Sequence, residues 1–208
     1  MRVLDLFCGG GGGAMGYYYA GYEIVGVDNQ PQPHYPFLFV LGDALCYAVL
    51  HGREFDLIHA SPVCKGYSSI TKIAGTQGNY RDSIGITRQV LQWIGKPYII
   101  ENVPGAPLIN PIMLCGTMFG LNVIRHRLFE CNPPIWFAPA TCQHTKRVVK
   151  AGRRPNRNKH YASVVGHFSD VEFAQHSMGI DWLGQRGLAQ AIPPMFTKWL
   201  GNQMARAH

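Results

Sequence analysis

Acidic side chains are scarce in this chain of 208 residues, which has 12 aspartates and glutamates against 19 lysines and arginines. The formal net charge of +7 favours a polyanionic partner. Charged residues of both signs make up only 15% of the sequence and hydrophobic residues 47%, a balance that argues against disorder. A chain of this length fits one domain with a sizeable core.

Membrane and secretion signals are also missing. The sequence has no apolar run of 18 residues, no signal peptide and no lipidation motif, and its six cysteines lack CxxC pairs. We therefore expect reduced thiols in a cytoplasmic protein without membrane attachment.

A metal centre is not expected from the linear spacing. Cys131, Cys142 and His144 have ligand side chains, but C-x10-C-x-H is not a usual zinc spacing. A fourth ligand would have to come from a distant residue such as His160 or His167. The sequence therefore predicts no metal site.

Short apolar runs alternate with helical periodicity through the first half of the chain. The apolar runs occupy residues 2–7, 23–28, 36–45, 55–62 and 97–103, with helical stretches at 14–21 and 82–95. This alternation predicts an α/β fold with a parallel sheet covered on both faces.

Polar features follow each of these runs, where a parallel sheet binds its ligand outside the carboxyl ends of the strands. They are the glycine run after residue 8, Asp28, Asp43, the segment 61–68 and Glu101–Asn102. A glycine-rich turn lets backbone approach a ligand closely, although dinucleotides and S-adenosylmethionine use the same turn. Asp28 is placed to accept from ribose hydroxyls and Asp43 from an adenine amino group, or either caps a helix or turn.

The segment DLFCGGGGGAMGYYYAG at 5–21 resembles the opening motif of the cytosine-C5 DNA methyltransferase family. The resemblance implies a Rossmann-like methyltransferase fold, with a mixed and mainly parallel sheet, and S-adenosyl-L-methionine as cofactor. The cofactor contacts that it implies are Phe7, Gly9, Gly11, Asp28, Asn29, Asp43, Pro62, Gln190 and Ala191.

Three further segments resemble the catalytic motifs of that family: SPVCKGYS at 61–68, IIENVPG at 99–105 and RHRLFE at 125–130. The resemblance makes Cys64 the nucleophile and assigns catalytic roles to Glu101, Asn102, Arg125 and Arg127. The alternation of the two arginines predicts that they share one face of a short strand. Val63 and Lys65 depart from the thiol motif and Val123 from the arginine motif.

The implied chemistry begins with addition of the Cys64 thiolate to C6 of cytosine, while the Glu101 carboxyl group holds N3. The segment LAQAIPPMFTKWLG at 188–201 resembles the last family motif, with Gln190 in place of its asparagine. The motif order resembles that of short phage and prophage members of the family. The resemblance therefore implies a protein of a bacterial or phage-infected cell.

These motifs divide the chain into three parts. We expect a catalytic and cofactor-binding core at 1–130, a short basic DNA-contact insertion at 131–177, and a segment at 178–208 that completes the core. Double-stranded DNA is the expected partner, with a flipped cytosine and a recognition site of two or three base pairs. The expected DNA contacts are Lys65, Ser68, Lys146, Arg147, Arg153 and Arg154. We expect a monomer without an obligate protein partner.

Other functions remain open at this point. Methylation of tRNA would use the same catalytic groups. A DNA-binding relative without catalysis would explain the departures at Val63, Lys65, Val123 and Gln190, but it leaves Cys64 and Glu101 without a purpose. Chemistry that depends on NAD leaves the Glu-Asn-Val motif unexplained as well.

Overall fold

The computed structural model describes residues 1–63, 83–148, 153 and 155–206. Four predicted site residues, Cys64, Lys65, Ser68 and Arg154, lie outside the described residues. In the described part of the chain no helix combines the length and the hydropathy needed to cross a membrane.

A seven-stranded sheet forms the centre of the molecule, in the order β3-β2-β1-β4-β5-β7-β6. Its strands are β1 (Arg2–Leu6), β2 (Glu23–Asp28), β3 (Leu38–Leu41), β4 (Leu57–Ala60), β5 (Tyr98–Asn102), β6 (Ile112–Leu114) and β7 (Arg127–Asn132). The first five pair in parallel, which confirms the predicted α/β class. Two antiparallel strands complete the sheet, so it is mixed.

Helices cover both faces of the sheet. They are α1 (Gly12–Tyr19), α2 (Ala44–His51), α3 (Ser83–Ile94), α4 (Val171–Met178), α5 (Gln185–Gln190) and α6 (Pro194–Arg206). One face carries α1 and α6, whose Tyr17 and Phe196 are fully buried in a shared cluster. The other face carries α2 and α3, which contribute Ala48 and Leu91. Helices therefore cover the sheet on both faces, as the strand–helix pattern predicts.

Close packing of α1 on α6 depends on one glycine. A Cβ atom at Gly16 would overlap the Pro194 carbonyl oxygen and the Thr197 hydroxyl. The same threonine donates from Oγ1 to the Gly13 carbonyl oxygen at 2.7 Å. The C-terminal helix therefore packs directly against the backbone of the helix that follows the glycine turn.

The basic region after β7 contains little regular structure. Two short strands, β8 (Arg147–Val148) and β9 (His160–Tyr161), pair in parallel. A third apolar cluster begins at Val123 and continues through Phe168 and Phe173 to α5. This cluster attaches the later part of the region to the main body, while Trp136 and Phe137 remain 67% and 80% exposed.

Candidate active site

The turn after β1 has an unusual backbone conformation. Phe7, Gly9 and Gly11 have φ angles of 56°, 49° and 79°, in the left-handed region that favours glycine. Phe7 adopts it with a full side chain, which costs on the order of 1 kcal/mol or more and is typical of ligand-binding turns. A Cβ atom at Gly9 would meet nothing within 4 Å, so this glycine borders open space.

Asp28 organises this turn from the end of β2. Its carboxylate accepts from the backbone N–H groups of Gly9 and Gln30, both at 3.0 Å. The side chain is partly exposed and the next residue, Asn29, is exposed. The carboxylate oxygens retain lone pairs for a ligand hydroxyl, and the predicted ribose contact stays a prediction.

Asp43 has a structural partner as well. It is the N-cap of α2 and accepts from the Cys46 backbone N–H at 2.8 Å, a bond that lowers the pKa of the carboxyl group. Its predicted contact with an adenine amino group therefore has to coexist with the capping bond. Asp43 is exposed, so a ligand can reach its carboxylate from solvent.

The segment between α5 and α6 lies against the glycine turn. A Cβ atom at Gly12 would be 2.6 Å from the Ile192 carbonyl oxygen and 3.0 Å from the Ala191 Cβ atom. Trp182 donates from Nε1 to the Gly10 carbonyl oxygen at 2.9 Å. The structure thus brings Ala191 to the predicted cofactor turn from the far end of the chain, while Gln190 is exposed.

A buried ion pair joins two of the predicted catalytic motifs, those of Glu101 and Arg127. Arg127 Nε lies 2.9 Å from Glu101 Oε1, and the two side chains are 15% and 9% exposed. Burial raises the pKa of the Glu101 carboxyl group, although Arg127 and a hydrogen bond from Ser61 oppose that shift. The carboxyl group can therefore hold a proton more readily than an exposed glutamate, as a hydrogen-bond donor to a base ring requires.

Asn102 fixes the backbone immediately before the predicted nucleophile. Its Nδ2 donates to the Pro62 carbonyl oxygen at 3.0 Å, and its Oδ1 accepts from the Val103 N–H at 2.9 Å. Both Asn102 and Pro62 are buried. Because Cys64 is two residues beyond Pro62, this bond ties the start of the 61–68 segment to the end of β5.

The sequence pattern predicted that Arg125 and Arg127 share a strand, and this prediction is wrong. β7 begins at Arg127, and Arg125 lies before it. Its guanidinium donates to the backbone carbonyl oxygens of Val164 at 2.9 Å and Ala189 at 2.8 Å. These bonds join the segment before β7 to the basic region and to α5, so Arg125 positions chain segments around the site.

A buried histidine beneath the site has no counterpart in the sequence-based prediction. His59 on β4 contacts the Tyr17 hydroxyl through Nδ1 at 2.9 Å and the Ser61 hydroxyl through Nε2 at 3.0 Å. Burial lowers the pKa of His59 to about 3, so the imidazole is neutral. Since Ser61 also bonds Glu101, a polar chain of four side chains contacts the predicted catalytic carboxyl group. The only sequence signal was a histidine within an apolar strand.

The basic side chains differ in their surroundings. Arg147 and Arg153 are exposed, and Lys146 donates to Asn122 Oδ1 at 3.0 Å. Arg157, by contrast, pairs with Asp170 at 3.2 Å and Glu172 at 2.8 Å. Arg157 is therefore engaged within the protein, whereas Arg147 and Arg153 present charge to solvent.

The fold is similar to those of several solved methyltransferase structures. The structure is similar over 99% of both chains to a prophage-encoded E. coli protein assigned as a DNA modification methyltransferase, with 13% identity and a TM-score of 0.63. The chain has a methyltransferase fold. DNMT2 from Spodoptera frugiperda has a TM-score of 0.65 at 12% identity, with 98% of this chain and 99% of that chain covered. The methyltransferase EhMeth of Entamoeba histolytica has a TM-score of 0.64 at 11% identity, with 100% and 98% covered.

These likenesses concern the fold. No protein-family model and no curated protein sequence matches the chain. Any assignment of substrate or mechanism therefore rests on the site residues.

Proposed function

We propose that the chain is an S-adenosyl-L-methionine-dependent methyltransferase that acts on C5 of cytosine in DNA. The observation that carries this proposal is the arrangement at the end of β5. There the buried Glu101 pairs with Arg127, and the adjacent Asn102 holds the backbone two residues before Cys64. These contacts link Pro62, Glu101–Asn102 and Arg127, one part of each motif of the resemblance, and this linkage supports the proposal.

The chemistry requires an acid opposite a thiolate. Addition of Cys64 Sγ to C6 of the ring forms an S–C bond and pushes electron density toward N3, where the Glu101 carboxyl group donates a hydrogen bond. C5 is then nucleophilic enough to take a methyl group from a sulfonium donor. The donor's S–CH3 bond would break with its electron pair left on sulfur, so a neutral thioether would leave. Loss of the C5 proton to a base and breakage of the S–C6 bond restore the aromatic ring and the thiolate.

The glycine turn fits the proposed cofactor. The open space at Gly9 admits backbone–ligand contact, and Asp28 provides carboxylate oxygens at the end of the adjacent strand. S-adenosyl-L-methionine would supply an electrophilic methyl group there. Phe7 would border the ligand through its left-handed backbone, and Ala191 would approach it from the C-terminal segment.

DNA would approach along the basic region. The exposed Lys146, Arg147 and Arg153 carry charge that phosphates can neutralise, which makes binding dependent on salt and largely independent of sequence. Base flipping would then bring cytosine to Glu101. The few residues available for reading base edges support a recognition site of two or three base pairs.

Methyl transfer from tritiated S-adenosyl-L-methionine tests the proposal, with duplex DNA and tRNA as parallel substrates. We expect incorporation into duplex DNA, its loss in Cys64→Ser, and a reduction of roughly 10²- to 10⁴-fold in Glu101→Gln. Cys46→Ser, which changes an exposed cysteine on α2, is the matched control and should retain activity.

Two results would overturn the assignment. Full activity in Cys64→Ser would exclude the covalent mechanism, and labelling of tRNA without DNA would change the substrate. Covalent capture on DNA that contains 5-fluorocytosine provides an independent measurement, because it requires both the thiol and a transferred methyl group. Methyl-sequencing of treated plasmid measures the site, and a consensus of five or more base pairs would contradict the short recognition site.

A further inference from the structure

Four side chains with metal-ligand chemistry meet beside the start of β7. They are Cys115, His126, Cys142 and His144, and their ligand atoms all lie within 4.8 Å of one another. Cys142 Sγ is 3.1 Å from His144 Nε2 and 3.4 Å from His126 Nε2. Cys115 Sγ is 3.5 Å from His144 Nε2.

These distances match the edges of a tetrahedral zinc site. With Zn–S near 2.3 Å and Zn–N near 2.0–2.1 Å, the distance between a sulfur and a nitrogen ligand is about 3.6 Å. The three S···N distances of 3.1, 3.5 and 3.4 Å are between about 0.1 and 0.5 Å shorter than that value. We propose that this cluster binds one structural Zn²⁺ ion through two thiolates and two neutral imidazoles.

The charges and protons of such a site balance. Binding of Zn²⁺ releases two thiol protons to solvent, and the ion with two thiolates is electrically neutral. Two sulfur and two imidazole ligands form one of the donor sets that structural zinc sites use, and a complete set of four leaves no open position for catalysis. The inference is thus a structural metal, independent of the proposed methyl transfer.

The sheet builds half of this site in advance. In the antiparallel ladder of β6 and β7, Leu114 pairs with Arg127. Continued by one residue on each strand, the same register places Cys115 opposite His126. The pairing of β6 with β7 therefore brings these two residues together. One residue separates Cys142 from His144, and at this spacing an extended chain presents two side chains on the same side.

Neighbouring groups fit a site with two thiolates. Thr117 Oγ1 lies 3.4 Å from Cys115 Sγ and 3.9 Å from Cys142 Sγ, where its hydroxyl can donate to either sulfur. Tyr161 places its ring edge-on to His144, with centroids 6.3 Å apart. Such contacts orient ligands and hold the sulfur charge. Cys115 is buried while His144 is exposed, which gives the ion a way in from solvent.

The location explains what a metal would achieve. Cys142 and His144 belong to the stretch after β7 that is largely exposed, and the basic Lys146 and Arg147 follow directly. Few apolar contacts hold this stretch, so metal bonds would fasten it to the sheet. His126 lies between the two motif arginines, and its carbonyl oxygen accepts from Arg127 Nη1 at 2.8 Å.

Linear spacing concealed this set because it favoured the wrong cysteine. Cys131, which stands nearest to Cys142 in sequence, lies on β7 with its thiol directed at the Phe129 carbonyl oxygen at 3.9 Å. The structure supplies Cys115 and His126 instead. Neither His160 nor His167 belongs to the cluster in the described part of the chain.

Elemental analysis of the full chain, purified from zinc-supplemented medium without chelator, tests the proposal. We expect about one zinc ion per chain for the wild type. For Cys142→Ser and for His144→Ala we expect roughly one tenth of that zinc content. Cys46→Ser is the matched control for cysteine loss and should keep the full zinc content.

Cobalt substitution keeps the test decisive if a variant fails to fold. Apo wild-type protein titrated with Co²⁺ should show tetrahedral d–d absorption and a thiolate-to-cobalt charge-transfer band that saturate at one equivalent. Wild-type protein with no zinc and no such bands would overturn the proposal. A Cys115–Cys142 disulfide found by non-reducing peptide mapping would overturn it as well, and so would equal zinc loss in Cys46→Ser.

Discussion

Replacing Arg127 by methionine tests whether the Glu101 carboxyl group is desolvated. The substitution keeps the length and much of the apolar stem but removes the charge that lies 2.9 Å from Glu101 Oε1. Glu101 is 7% exposed, so water cannot replace the lost partner well. Breaking a buried ion pair by removing one partner costs about 3–5 kcal/mol, because the remaining charge is left without compensation.

The dependence on pH follows from the direction of the pKa shift. Burial raises the pKa of Glu101 and Arg127 opposes it, so removal of Arg127 raises the folded-state pKa further. The folded variant then binds a proton that the unfolded chain has released. The unfolded chains of variant and wild type titrate alike. The variant's free energy of unfolding, relative to wild type, should therefore fall as pH rises above the folded-state pKa of wild-type Glu101, which burial has already raised. We therefore expect the full loss near pH 8 and a much smaller one near pH 5.

Urea unfolding at these two pH values, followed by tryptophan fluorescence, measures both effects. Arg157→Met is the matched control, since Arg157 is 51% exposed and pairs with Asp170 and Glu172 in solvent. We expect a smaller loss there because water screens the pair. The double variant Glu101→Gln/Arg127→Met should be about 1–3 kcal/mol more stable at pH 8 than Arg127→Met alone. A loss below about 1 kcal/mol in Arg127→Met, equal at both pH values, would refute a desolvated pair.

Three further substitutions probe the packing and the buried titratable groups. Gly16→Ala should lower the free energy of unfolding by about 3 kcal/mol, because its Cβ atom meets backbone of α6. The control Gly42→Ala places a Cβ atom that meets nothing within 4 Å and should change little. Thermal melting of the two variants measures the difference. As pH falls from 6.5 to 3, the unfolded imidazole of His59 gains a proton and the folded one, with a pKa of about 3, does not. Wild type should therefore lose up to roughly 5 kcal/mol of its free energy of unfolding over that range, and His59→Gln should abolish this loss. Urea titrations across that range measure the slopes, and equal slopes in the two proteins would contradict the reasoning. Asp5 gives a pH dependence of the opposite sign, because burial raises its pKa to about 7. Wild type should lose up to roughly 4 kcal/mol of its free energy of unfolding as pH rises from 4 to 7.5, and Asp5→Asn should abolish this loss. A variant that keeps the wild-type slope would contradict a protonated Asp5.

The parallel part of the fold follows from local sequence patterns. Runs of buried residues such as Val3–Leu6 and Ile24–Val27 show which segments are strands, and the crossover helices between them dictate parallel pairing. The third strand was predicted within the run 36–45, with Asp43 just past its end. In the structure the strand ends at Leu41 and Asp43 caps the following helix. The pairing of the last two strands was not predictable, since neither apolar pattern nor length indicates strand direction.

The candidate site was predictable wherever one motif is continuous in sequence. Glu101 and Asn102 end a recognisable strand, and the structure places them beside Pro62 as expected for adjacent strands. Contacts between distant segments were not accessible, because periodicity describes the faces of an element and not its neighbours. Arg125 illustrates this limit, since its carbonyl partners are 39 and 64 residues away.

The reversed direction of β7 determines how Arg127 reaches the site. Phe129 stands opposite Glu101 in the ladder, which makes Arg127 a diagonal neighbour of Glu101 on the same face of the sheet. A parallel strand would have delivered its first residue to the far edge. A one-residue slip of β7 along β5 would leave the backbone ladder possible but move Arg127 and every other side chain of the strand to the other face. The register of this single strand therefore joins the arginine to the carboxyl group.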